Sequence, residues 1–233
     1  MYDIIRKPWL WDMLDRGLLQ ECGWRGVSEL KATQDIAVYD LIKDARGQRI
    51  LEAGGGRPRI LPYLARHNEC INLDRFDGTH GGPEGASEFE GIENRMGYLG
   101  ERDPALPDAS IDIIFSISVV EHIPTESLQD FLEDGLRLLK PGGRWVHAID
   151  IYVENEPNAY YRGRYDQYRN WFADGRLVPI GDIHQGPLGF SCDMATNPDG
   201  TMHIWGTYAP ALIDLRKQAQ CVSIILAGTK RED

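Results

Sequence analysis

Four apolar runs in this sequence end in an acidic side chain. Glu52 follows Ile50-Leu51, Asp74 follows Cys70–Leu73, Glu121 with His122 follows Ile111–Val120, and Asp150 follows Arg144–Ile149. A carboxylate accepts two hydroxyl donors at once, and histidine exchanges a proton near neutral pH. Behind Glu52 stand Gly54, Gly55 and Gly56. Glycine suits a turn that needs positive φ and a backbone that must approach a ligand closely. A strand that breaks into glycines and then re-enters a helix makes a nucleotide-type pocket in parallel α/β folds. Asp74 lies 22 positions after Glu52. An acid at the tip of the second strand is placed to accept ribose hydroxyls; the bland alternative is a solvated turn acid.

His122, His147 and Asp150 are the candidates for moving a proton. Strand alternation puts His147 and Ile149 on one face, with Ala148 and Asp150 on the other, which favours Asp150 over His147. His184 and His203 lie in the later segment, where a surface role is the simpler expectation. His and the acids show no tight ligand spacing, and Cys22, Cys70, Cys192 and Cys221 form no C-x-x-C pair. No metal site is expected.

The elements that must position these groups follow from periodicity. Thr33 to Arg46 is predicted as a helix capped by Thr33 and stopped by Gly47. A strand at Arg49–Ala53 leads into the glycines. Pro58 and Pro62 delay the next helix to about Leu61–Arg66. A strand at Cys70–Leu73 is followed by a loop at Phe76–Glu93 and a short third strand at Arg95–Leu99. Ile111–Val120 reads as a strand buried on both faces. A helix capped by Thr125 presents Leu128, Phe131, Leu132, Leu136 and Leu139, and Lys140-Pro141-Gly142-Gly143 stops it. A strand at Arg144–Ile149 follows. Tyr161, Tyr165, Tyr168 and Phe172 make one helical stripe, either a packing face or, with Arg162, Arg164 and Arg169, a platform for a sugar or an anion. Pro210–Lys217 reads as a helix and Cys221–Ala227 as a last strand.

Alternating strands and helices from 33 to 150 imply an α/β fold, a Rossmann-like doubly wound sheet with helices on both faces and ligands at the carboxyl ends of the strands. One domain of 233 residues is expected. It comprises an N-terminal helical arm or lid (1–32), a cofactor-binding core (33–150), an acceptor-side insertion (151–209) and a closing helix and strand (210–233).

With these elements in place, the chain resembles the class I S-adenosylmethionine-dependent methyltransferases. The resemblance rests on Leu51-Glu52-Ala53-Gly54-Gly55-Gly56, on Asp74, on Leu106-Pro107-Asp108 running through Ser116 to Val119-Val120-Glu121-His122, and on Leu138-Leu139-Lys140-Pro141-Gly142-Gly143. It implies a mostly parallel seven-stranded sheet whose last strand is antiparallel, and S-adenosyl-L-methionine as cofactor, leaving S-adenosyl-L-homocysteine. It also implies roles. Gly54 and Gly56 admit the methionine part, Gly55 belongs to the same cofactor-binding loop, and Glu52 orients that loop. Asp74 takes the ribose and Arg75 lines the adenine. Asp103 or Glu101 meets the adenine amino group, and Ser116 and Ile117 line the sulfonium region. Pro58 stands where the family often has a third glycine.

The acceptor expected is a small molecule or glycan methylated on oxygen. A faint likeness of His147–Tyr152 and Tyr160–Phe172 to methyltransferases of bacterial surface-polysaccharide genes points the same way. A non-catalytic cofactor-binding module or partner subunit stays open as an alternative. A nicotinamide-dependent oxidoreductase is disfavoured by Arg59, where its fingerprint wants glycine or alanine.

Composition agrees with an ordinary globular protein, 42% hydrophobic and 26% charged. The net charge of −11 argues against nucleic acid as the main partner. No apolar run approaches the ~18 residues of a membrane span. The N-terminus lacks a signal-peptide layout, and the dispersed cysteines suit a reducing cytoplasm. A homo-oligomer is left open.

Overall fold

The computed structural model describes residues 1–26, 30–79, 82–154, 159–185 and 219–232. Its elements are β1 (Tyr2–Ile4), α1 (Lys7–Asp15), α2 (Leu18–Glu21), α3 (Leu30–Ile42), β2 (Arg49–Ala53), α4 (Leu61–Leu64), β3 (Glu69–Asp74), β4 (Ile92–Met96), β5 (Ile111–Ile117), α5 (Leu128–Leu138), β6 (Leu139–Glu154), α6 (Ala159–Asn170), β7 (Leu177–Pro179) and β8 (Ala219–Lys230). Two 3₁₀ turns, Val120–His122 and Thr125–Ser127, join β5 to α5.

The apolar run of β5 sits mid-sheet because both its faces are buried. The strand order is β1-β8-β6-β5-β2-β3-β4, with β7 also on β8. β2 to β6 pair in parallel, and β8 runs antiparallel to β6. The order reverses between β2 and β5, and a crevice opens at such a switch point beyond the strand ends. The two faces are distinct. Trp145, Ile149 and Ile151 of β6 join Phe131 and Leu132 of α5 and Tyr165 and Tyr168 of α6 in one apolar core. Val146 and Ala148 face the other, with Leu10, Met13, Leu18 and Ile36 of α1–α3. The expected alternation along this strand therefore holds.

The antiparallel last strand is present, and among the described residues the sheet has eight strands where seven were expected. Tyr2–Ile4 and Leu177–Pro179 share the outer edge of β8, at Ile224–Leu226 and Gly228–Lys230. Three residues are too few to show a period, so the reading of residues 1–32 as helical missed β1. Thr33 does not cap α3 but is buried within it. β4 falls three residues before the expected Arg95–Leu99. Lys140–Gly143 ends α5, as expected, yet belongs to β6, which crosses it with a register shift opposite Ile111 and Ile113. The expected helix at Pro210–Lys217 and His203 lie outside the described residues.

The aromatic stripe serves packing: Tyr165, Tyr168 and Phe172 are buried in the core. Tyr161's side chain lies outside the described residues. Arg164 of α6, itself buried, donates to the carbonyls of Val120 and Ile123, each at 2.9 Å, and to Thr125 Oγ1 at 3.2 Å. It thus clamps α6 to the turn that carries His122.

Gly135 in α5 is fixed by Trp145. A β-carbon there would lie 2.2 and 2.5 Å from two ring carbons of this fully buried indole. Alanine favours a helix over glycine by up to ~1 kcal/mol, but overpacking a core costs ~1–3 kcal/mol or more. The clash should win: Gly135→Ala is expected to destabilise by about 2 kcal/mol in urea unfolding. A more stable variant would mean that the ring moves freely.

Candidate active site

A cavity of about 920 Å³ opens at the switch point. Its floor is the glycine loop, which leaves β2 at Gly54 with φ +67° and turns again at Gly56 with φ +50°. Each glycine is required by its surroundings. A β-carbon on Gly54 would strike Val119 Cγ atoms at 2.7 and 2.8 Å. On Gly55 it would meet Asn72 Oδ1 at 2.4 Å and Glu52 Cδ at 2.9 Å, and on Gly56 Pro83 Cδ at 2.9 Å. Arg59 anchors the far end of the loop through a bidentate pair with Asp35 of α3, at 2.7 and 2.8 Å. Asp35 is buried and also accepts from Trp24 Nε1 at 2.9 Å.

Asp74 lines the cavity at the tip of β3. One carboxylate oxygen accepts the Gly56 N–H at 3.0 Å and the other the Phe76 N–H at 2.7 Å. Each oxygen keeps a lone pair for a ligand hydroxyl. Arg75 lines the same wall and lies over the Tyr98 ring, 5.0 Å from its centroid. Tyr98 and Leu99, between Gly97 and Gly100, complete that wall. Ile117 and Ser118 line the centre, with Ser118 at φ +55°. A serine in that conformation is strained, and such strain gathers at functional sites.

Glu52 is buried directly beneath Gly55, and burial pushes its carboxyl up to about 8. Asp150 sits behind the cavity wall in a polar network. Gln34 Nε2 donates to its Oδ1, Ser118 Oγ lies 3.0 Å from the same oxygen, and Lys31 Nζ is 3.4 Å from Oδ2. Lys31 and Ser118 both line the cavity. Glu121 is buried beside Asp150; burial first, and then Asp150's charge, raise its carboxyl well above the usual range. His122 lines the cavity half-exposed, its Nε2 3.9 Å from Glu121 Oε1.

Four expected site residues stand elsewhere. His147 is fully buried among Trp145, Phe131 and Trp171, and burial alone lowers its imidazole to about 3. Ser116 is buried beside it, Oγ to Nδ1 at 2.6 Å, because the two are register partners across β5 and β6. Neither lines the cavity. Asp103 is held by Arg95 at 3.0 Å and accepts the Ala105 N–H, while Glu101 accepts the Tyr98 N–H at 3.2 Å. Both lie outside the lining, which on that side is formed by Tyr98 and Leu99. Lys31, Gln34, Ser118, Tyr98 and Leu99 were not singled out from sequence. The flanking glycines of Gly97-Tyr98-Leu99-Gly100 were the one available signal.

The donor set fits S-adenosylmethionine: a glycine cradle that any β-carbon would fill, and a strand-tip acid with open lone pairs. Asp74→Ala is expected to weaken S-adenosylhomocysteine binding by ~1–3 kcal/mol. Unchanged affinity in calorimetry would remove Asp74 from the ribose role.

Comparison with known proteins gives the same direction. A methyltransferase-domain family model matches residues 51–147. A probable S-adenosylmethionine-dependent methyltransferase of Mycolicibacterium smegmatis is 28% identical over 157 residues, 66% of this chain and 51% of its own length. The chain thus spans about half the length of that curated relative. The fold is similar to phosphoethanolamine N-methyltransferase 2 of Haemonchus contortus in complex with S-adenosyl-L-methionine, with TM-score 0.62 and 13% identity over 96% of this chain and 60% of that one. It is also similar to geranyl diphosphate C-methyltransferase of Streptomyces coelicolor in complex with S-adenosyl-L-homocysteine, with TM-score 0.55 and 14% identity over 86% and 79%. At such identities the likeness to the solved structures is one of fold.

Proposed function

We propose that the chain is a class I S-adenosylmethionine-dependent methyltransferase, as the methyltransferase-domain match over residues 51–147 and the mycobacterial relative support, and that it methylates an oxygen of a small hydroxylated acceptor of sugar type. The cofactor supplies an activated methyl group on sulfur; the chain's own residues must bring the acceptor to it and take a proton away. The observation that carries this reading is the placement of His122. Of the three proton-handling candidates it is the one on the cavity lining. An alcohol needs such a base, whereas a neutral amine does not lose its proton before attack.

Asp150 is assigned a positioning role. It holds Lys31 and Ser118, whose polar groups are offered to the acceptor. The free, buried thiols of Cys22 and Cys70 suit a reducing cytoplasm. A screen of sugars, phenols, amines and carbon nucleophiles, read by release of S-adenosylhomocysteine, tests the proposal. Turnover of hydroxyl acceptors is expected; turnover confined to amines or carbon acids would overturn it.

A further inference from the structure

A second cavity, of about 420 Å³, lies between the C-terminal half of α5, the turn before β7 and the end of β8. β8 runs antiparallel to β6, so Lys230 stands at the amino end of β6, away from the rim that carries Asp150. Five of the side chains lining this cavity are cations and two are acids. The chain as a whole has the opposite balance, 36 acids against 25 lysines and arginines.

Both lining acids are already engaged. Arg176 Nε donates to Asp174 at 2.6 Å, and its Nη1 and Nη2 donate to Glu133 at 2.8 and 2.7 Å. Arg137 is held from outside the cavity, by Asp134 at 2.9 Å and Asp108 at 2.7 Å. That leaves Arg102, Lys230 and Arg231 with no carboxylate partner among the described residues. Lys230 Nζ gives two hydrogens to the carbonyls of Leu136 and Leu139, each at 2.8 Å, and keeps the third. Arg231 is fixed at its backbone by the Arg176 carbonyl, at 2.8 Å, and its Nη1 is 3.6 Å from where a β-carbon on the lining residue Gly175 would lie. Its guanidinium and that of Arg102 make no hydrogen bond among the described residues.

Arg102 is held over this cavity in a strained conformation. Its φ is +57°, left-handed, which suits glycine and not arginine. Buried Asp134 enforces it: one carboxylate oxygen accepts the N–H of Gly100 at 2.8 Å and that of Arg102 at 3.2 Å. The acids on either side face elsewhere, Glu101 to the Tyr98 N–H and Asp103 to Arg95. Three cations gathered without a counter-charge repel one another, and an anion between them turns repulsion into attraction. Guanidinium forks take the oxygens of a phosphoryl group in pairs, and an ammonium adds a point charge.

We infer that this cavity is a binding site for a diphosphate group, free or on a small metabolite, held by Arg102, Lys230 and Arg231. A single carboxylate would answer one of the three cations, whereas adjoining phosphoryl groups answer all of them. The site is separate from the glycine-loop cavity and does not depend on what that cavity holds.

The experiment is calorimetric titration of the full chain with inorganic diphosphate at constant ionic strength, with and without saturating S-adenosylhomocysteine. Saturable binding of one equivalent is expected, with the same affinity in both cases. Arg102→Gly removes the guanidinium and relieves the left-handed strain, so it should fold; Arg231→Gln changes an exposed side chain. Each is expected to bind diphosphate at least about tenfold more weakly, the loss of one charge-assisted contact. Arg16→Gln makes the same charge change on the helices packed against the other face of the sheet, and should bind as the wild type does. Uridine diphosphate separates the sources: tighter binding than diphosphate gives a nucleotide, equal or weaker binding a free polyphosphate, and either supports the site. No saturable binding would overturn the inference. So would displacement by S-adenosylhomocysteine, which would put the anion in the reaction cavity, or equal affinity in wild type, Arg102→Gly and Arg231→Gln.

Discussion

Gly55→Ala is expected to lower affinity for S-adenosylhomocysteine by at least about a hundredfold, or ~3 kcal/mol. Gly55 is not among the glycines at positive φ, so the cause is steric. Its β-carbon would fall 2.4 Å from Asn72 Oδ1 and within 3.0 Å of Glu52. Neither obstacle can retreat: Asn72 is held by Gly56 and Asn94, and Glu52 is packed in the sheet. The loop must rise instead, carrying Gly54 and Gly56 out of place. A misplacement of about 1 Å at a binding surface is enough for a hundredfold loss. The stability cost should be smaller, ~1–3 kcal/mol. Gly26→Ala is the control, since its β-carbon meets nothing within 4 Å. Gly55→Ala binding as tightly as wild type would mean that the loop is not the cofactor cradle.

The second large effect concerns turnover. His122→Ala is expected to slow methylation of an alcohol by ~10²–10⁴-fold, the usual contribution of a positioned base. Cofactor affinity should stay within a few-fold, because Arg164 holds the surrounding turn through the carbonyls of Val120 and Ile123. The loss should shrink for phenols, which surrender their proton more readily. An equal loss for alcohols and phenols would point to a packing role for the imidazole. No loss for either would return the proton to Asp150 and its network.

The glycine loop and Asp74 were legible in the sequence because both answer backbone demands. A strand that must turn over a ligand needs glycines, and the acid at the next strand tip sits at a spacing set by one βαβ unit. Ile117, named through the family resemblance, lines the cavity, whereas strand alternation separated Asp150 from His147 without bringing Asp150 onto the lining. His147 and Ser116 were not, because their fate is decided by each other across β5 and β6, and a single strand does not display its register partner. Asp103 went to Arg95, which lies on another element. Lys31 and Gln34 reach the site from α3, more than a hundred residues before Asp150. Ser118 owes its place to a left-handed backbone conformation, and a serine in the run Ser116-Ile117-Ser118 carries no mark of it.

The central claim is that the cavity over Gly54–Gly56 is an S-adenosylmethionine site. Its most direct test is calorimetric titration of the folded chain with S-adenosylhomocysteine, with NAD alongside. One site per chain with a Kd of about micromolar, and no response to NAD, is the predicted result. A folded protein that binds neither, or binds NAD alone, would contradict it.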